Sequence, residues 1–168
     1  MIPRKLLPFA AAFVFAASAS QAFAICSTQG LDLIKNLNGS WKGRGAVTPI
    51  GGAAERVSCR VNYAMLSGSI LNQVIACAGT DYKIEASSRV SCEGNRLEGS
   101  FEEKIGNNTG RVSGTISGNH LDIDADGPSF KGRFNVQFKG ETNHLVAITQ
   151  FDPAKGRHVP VASIQLSR

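Results

Sequence analysis

The stretch Phe130-Lys131-Gly132-Arg133-Phe134-Asn135-Val136-Gln137-Phe138 decides the fold. In an extended chain Phe130, Gly132, Phe134, Val136 and Phe138 fall on one face, and Lys131, Arg133, Asn135 and Gln137 on the other, because successive side chains of a strand point to opposite sides. One dry face and one wet face are what an antiparallel sheet with a single buried side requires. Working outward, the same alternation puts Leu97, Gly99 and Phe101 on one face of a strand, Val112, Gly114 and Ile116 on another, and Leu121, Ile123 and Ala125 on a third. Asp122, Asp124 and Asp126 then point to solvent. Outward neighbours on a strand converge too little to wrap a cation, and no calcium-type loop surrounds them, so no metal is expected there.

Gly, Asn, Asp or Pro interrupts this pattern every eight to twelve residues from Trp41 onward. Candidate strands lie near residues 41–48, 55–64, 70–78, 81–92, 96–104, 109–117, 119–126, 129–139, 141–150 and 159–167, eight to ten in all and nearly all joined by short turns. Short turns make sequence neighbours pair in space. A meander of that many strands curls under its own twist, and closure removes its aggregation-prone edges. The expected fold is all-β, an antiparallel up-and-down barrel. Helix is expected only at 31–37, where Asn38-Gly39 stops it.

Phe101, Phe130, Phe134 and Phe138 are candidate cavity-lining residues of that barrel. Glu103 shares the inward parity of Phe101; it is either a polar contact in the cavity or lies beyond the strand's end. Gly99, Gly114 and Gly132 sit at core-facing positions. They permit tight coiling of a filled barrel, or they leave room for a ligand.

The chain opens with Arg4 and Lys5, an apolar run from Leu6 to Ala17, and the small-residue site Ala22-Phe23-Ala24. These are the parts of a cleavable secretory signal over 1–24, leaving one domain at 25–168 in the periplasm or outside the cell. The run is too short to span a bilayer, and no later segment is apolar for as long. A lipid anchor on Cys26 would want a small residue before the cysteine, where Ile25 stands. Positive charges are interspersed with acids along the chain, which points to a solvated mixed surface and away from nucleic acid.

The four cysteines, Cys26, Cys59, Cys77 and Cys92, all lie in the exported part, which favours two disulfides. Sequence allows three connectivities. A symmetric hairpin about Gly68 sets Cys59 opposite Cys77 on the apolar face, leaving Cys26 for Cys92. There is no C-x-x-C pair, and so no support for thioredoxin-like or zinc-ribbon chemistry.

Catalytic patterns are also missing. No Gly-x-Ser-x-Gly elbow occurs, and Ser67-Gly68-Ser69 reads as a hairpin turn. His120, His144 and His158 lack the spacing of a helical metal site and read as surface histidines. Gly51-Gly52 lacks the residues that complete a phosphate loop. No enzyme activity and no cofactor are expected.

Leu37-Asn38-Gly39-Ser40-Trp41-Lys42-Gly43-Arg44-Gly45 resembles the start of lipocalin and other calycin barrels, with a Gly-x-Trp on the first strand after a short helix. The resemblance implies that Trp41 packs across the barrel base near a late basic residue, Arg168 or Arg157. The same run resembles the opening of nitrobindin-type haem barrels, but their later haem-ligand context is not evident, although His144 and His158 sit in the C-terminal third. Glu55-Arg56-Val57-Ser58-Cys59, Cys77-Ala78, Arg96-Leu97-Glu98-Gly99-Ser100, Gly127-Pro128-Ser129-Phe130 and Ser163-Ile164-Gln165-Leu166 resemble a group of small exported alphaproteobacterial proteins, which implies a periplasmic setting. Two functional readings follow. One is a non-enzymatic lipocalin-like barrel binding a small apolar ligand or an envelope component. The other is a protein-protein interaction module, such as an inhibitor of proteases or lysozymes, working through a long loop at residues 151–158.

Overall fold

Ser27 caps the first helix: its hydroxyl accepts the Gly30 N–H at 3.0 Å at the start of α1, Thr28–Leu37. In this computed structural model residues 25–168 are described; the expected signal and its cleavage site at Ala24 lie outside them. Gly30, Leu33, Ile34 and Leu37 recur at helical spacing and form the buried stripe of α1. The cap makes the helix begin three residues before the expected 31–37.

Ten strands follow: β1 (Gly39–Val47), β2 (Glu55–Ser67), β3 (Ile70–Ala78), β4 (Lys83–Glu93), β5 (Arg96–Glu103), β6 (Asn108–Ser117), β7 (His120–Asp126), β8 (Lys131–Phe138), β9 (Asn143–Asp152) and β10 (Arg157–Ser167). Each pairs antiparallel with its sequence neighbours, and β1 pairs with β10 through Lys42↔Ser167 to Val47↔Ala162, closing the barrel. The expected up-and-down barrel is the observed fold. Two registers slip, at Met65/Ser67 and at Pro160/Ala162; Pro160 has no N–H to give a ladder.

Inward glycines let the strands crowd. A Cβ on Gly99 would lie 1.9 Å from the Arg89 carbonyl oxygen, and one on Gly45 would lie 2.1 Å from that of Ser163. No side chain fits at such distances, so these two glycines serve close strand approach and coiling.

Both disulfides join the expected cysteines. Cys59 and Cys77 are directly paired across β2 and β3 and bonded. Cys26 is bonded to Cys92, beside a short parallel bridge in which the Ser27 N–H donates to the Gly94 carbonyl at 2.8 Å. This clamps the N-terminal segment and α1 over one end of the barrel.

The outward aspartates of β7 are exposed as expected, and one other reading of the outer surface changes. The aspartates of β7 are cross-strand partners of β8: Lys131 reaches Asp126 at 3.7 Å, Arg133 reaches Asp124 at 3.2 Å, and the Asn135 amide donates to Asp122 at 2.6 Å. The expected long loop at 151–158 is a four-residue turn, because β9 runs through Asp152 and β10 resumes at Arg157. Buried Asp152 holds that turn, accepting the Ala154 N–H at 3.0 Å and pairing with Lys155 at 3.2 Å. Burial works to raise its carboxyl, but the Lys155 and Ala154 hydrogen bonds prevail and keep it below the usual carboxylate range.

Candidate functional site

The inside of the barrel is the place where chemistry-bearing side chains meet apolar walls. Its helix-capped end is the more deeply buried. Trp41 is 1 % exposed, and its indole N–H donates to the Leu37 carbonyl at 2.8 Å. The Arg168 guanidinium stands 4.8 Å over the indole ring and donates to the Asn38 carbonyl at 3.2 Å. Of the two arginines that the Gly-x-Trp resemblance allowed, Arg168 takes the position.

Behind Trp41 lies His144, which corrects the surface reading of that histidine. It is 0 % exposed, because it shares the inward parity of β9 and pairs with buried Leu166 of β10. Its ring meets Trp41 at 4.5 Å, Phe138 at 5.4 Å and Tyr63 at 6.2 Å between centroids. Neither ring nitrogen has a hydrogen-bond partner. Burial pushes its pKa from 6.5 down to about 4, so the ring is neutral at physiological pH. A ring enclosed on this pattern offers no open face to a haem iron, and the structure therefore does not fit the haem-barrel resemblance at His144. His158 is half-buried, edge-on to Phe151 at 5.7 Å, and His120 is half-buried at the start of β7.

One polar row crosses the interior. The Gln73 amide donates to the Tyr63 hydroxyl at 3.3 Å and its carbonyl accepts the Ser88 hydroxyl at 3.0 Å, the three residues being directly paired on β2, β3 and β4. Burial raises the Tyr63 phenol well above its ordinary pKa, the Gln73 hydrogen bond opposing only in part. The next residue in the row is Phe101, opposite Ser88 on β5. Inward side chains at the capped end, such as Leu71, Leu97, Ile116, Leu121 and Leu166, are buried. Gln73, Ser88, Phe101, Phe134, Ile148 and Gln150 face inward yet are only half-buried. Burial is deepest at the capped end, and solvent reaches part of the inner wall beyond.

The five expected lining residues separate. Phe101, Phe130 and Phe134 form a chain of aromatic contacts at 6.1 and 6.4 Å on the half away from α1. Phe138 stands at the other end, against His144. Glu103 ends β5 facing inward, but its carboxylate accepts the N–H groups of Ile105 and Gly106, both at 2.7 Å, and so caps the β5–β6 turn. Its charge, after burial, helps raise the Tyr82 phenol. Sequence reasoning missed His144, Tyr63, Gln73 and Ser88. The signal lay in the hairpin about Gly68: the symmetric register that opposes Cys59 and Cys77 also opposes Tyr63 and Gln73. Among the described residues no three His, Cys, Asp or Glu side chains converge on a metal position, and no helix is long and apolar enough to cross a membrane.

No protein-family model matches the chain, and no curated protein matches its sequence. Solved structures match its shape. Rv2717c from M. tuberculosis superposes with a TM-score of 0.64 at 14% identity, over 82% of this chain and 96% of that one. The S-type phycobiliprotein lyase CPES from Guillardia theta gives 0.61 at 8% identity, over 82% and 90%. The barrel EF1p2_mFAP2b, bound to DFHBI, gives 0.52 at 13% identity, over 82% and 98%. Identities this low speak for the fold alone: the chain is a closed, ten-stranded barrel of calycin-like form.

Proposed function

We propose that this protein is an exported, non-enzymatic carrier barrel that holds a small, mainly apolar ligand. The observation that carries the reading is the half-buried inner wall of Gln73, Ser88, Phe101, Phe134, Ile148 and Gln150 above the buried base around Trp41 and His144. An apolar chamber with a few placed polar groups is the general form of small-molecule sites. Phe101, Phe134 and Ile148 supply apolar contact, while Gln73 and Ser88 orient one polar group of the ligand. The signal-like segment at 1–24 and two disulfides support export, and the resemblance to small alphaproteobacterial proteins supports a periplasmic setting.

The test is mass spectrometry of protein purified from its native envelope, compared under native and denaturing conditions. A stoichiometric small organic molecule, released on unfolding, is the expected result. A Phe134→Arg variant that folds should arrive empty. Wild-type protein that carries nothing and takes up no apolar fluorescent probe would overturn the reading.

A further inference from the structure

Charges that are dispersed along the chain are sorted by the barrel into two kinds of outer wall. On β6, β7 and β8 the cations Arg111, Lys131 and Arg133 stand opposite the acids of β7. The outer wall of β10, β1, β2 and β3 is different. Lys42 and Arg44 of β1 and Arg56 and Arg60 of β2 are all exposed on it, with Lys42 directly opposite Arg60. Among the described residues none of the four has an ion-pair partner. The outward positions of these four strands hold no Asp or Glu. Glu55 opens β2, but it is half-buried with its carboxylate on the Asp81 N–H at 2.8 Å.

Directly opposed like charges weaken a sheet, so this wall is not arranged for the barrel's own stability. Apolar side chains are exposed on the same wall as the cations. Val74, opposite Asn62 on β3, is 56% exposed, and Leu66 at the end of β2 is 52% exposed. Ala76, opposite Arg60, is exposed as well. Unpaired cations that share a wall with protruding aliphatic groups match a surface that is anionic outside and apolar just beneath. We infer that the β10–β1–β2–β3 wall docks the protein on an anionic lipid bilayer, with Lys42, Arg44, Arg56 and Arg60 on headgroup phosphates and Val74 and Leu66 in the interface. A polyanion in solution would use the cations but leave Val74 and Leu66 without a role. The inference does not depend on the barrel holding a ligand.

The experiment is co-sedimentation of the purified, disulfide-intact protein with phosphatidylcholine vesicles, with and without phosphatidylglycerol. Binding should require phosphatidylglycerol and fall with salt. Each cation near an anionic surface contributes about fivefold, so Arg44→Ser with Arg60→Ser should lower partitioning about 30-fold. Arg111→Ser with Lys131→Ser removes the same net charge from the other wall and should change it by about twofold or less. Val74→Ser with Leu66→Ser should cost about tenfold on vesicles and nothing on a single-stranded oligonucleotide. Unchanged melting curves qualify each variant; should the first pair melt early, Lys42→Gln with Arg56→Gln replaces it. Equal loss in the two charge variants would overturn the inference, as would indifference to phosphatidylglycerol. Vesicle binding that ignores Val74→Ser with Leu66→Ser, weaker than binding to the oligonucleotide, would overturn it in favour of a polyanion.

Discussion

His144 makes the stability of the barrel depend on pH in a window that no other described group explains. Its folded pKa of about 4 lies below the 6.5 of a free imidazole, because burial among Trp41, Tyr63 and Phe138 disfavours the cation. Above pH 6.5 the ring is neutral whether the chain is folded or not, and pH has no leverage. Between 6.5 and 4 the unfolded chain takes up a proton that the folded chain refuses, so stability falls by roughly 1.4 kcal/mol per pH unit. Below 4 both states are protonated and the loss levels off near about 3 kcal/mol. A His144→Phe variant keeps the aromatic packing and deletes the two unpartnered nitrogens. At pH 7.5 it should match the wild type to within about 1 kcal/mol or exceed it, since an unsatisfied polar ring contributes little where it is buried. The assay is urea denaturation of both proteins from pH 7.5 to 3.5, taking the difference at each pH so that titrating carboxylates cancel. Asp152 does not confuse the window: its lowered pKa keeps its contribution present above the ordinary carboxylate range, and that is lost only at more acid pH. If the wild-type and variant curves run parallel between pH 6.5 and 4, His144 is not a buried neutral ring and the closed-end geometry is wrong.

Three further outcomes are expected. Replacing Cys26 and Cys92 by alanine should lower the unfolding free energy by about 4 kcal/mol, and replacing Cys59 and Cys77 by about 3, because the first bond closes a sequence separation of 66 and the second one of 18; reduced and oxidised urea curves measure both. Trp41 emission should be that of a buried indole, and Arg168→Ala should cost about 1 to 2 kcal/mol by removing the guanidinium from the ring and from the Asn38 carbonyl, read in thermal melts followed at the same fluorophore. Gly99→Ala should cost about 2 kcal/mol or more, since the new methyl meets the Arg89 carbonyl oxygen at 1.9 Å; a neutral substitution there would remove the close-approach account.

How far the sequence can be read depends on whether the informative pattern is local. The strand at Phe130–Phe138 alternates on one parity, and all but its first residue fall in β8 with the expected faces. Cys59 and Cys77 followed from a hairpin symmetric about one glycine, where local geometry carries the register. On β9 both parities are apolar, Leu145 and Ala147 against Val146 and Ile148, so periodicity does not say which side His144 takes; its long-range neighbour Leu166 does. Gln73 and Ser88 break the apolar alternation of inward faces, and an alternation reading passes over them. Glu103 kept its inward parity, but the turn beyond it claimed its carboxylate. The cationic wall was invisible for the same reason: Lys42 and Arg44 are adjacent to Arg56 and Arg60 only through the β1–β2 register.

The seam between β1 and β10 also dictates an order of events. The first strand finds one of its two partners only in the last, so a nascent chain that lacks β10 is an open sheet with two raw edges, each able to recruit a strand from another molecule. Until β10 is made, the indole of Trp41 has no Arg168 above it and His144 has no Leu166 opposite. Contacts that span the whole chain are slow to form and leave intermediates exposed meanwhile. Assembly is therefore a late, single act: every strand must be present before any of them is enclosed, and the buried core comes into being at the moment the ring shuts.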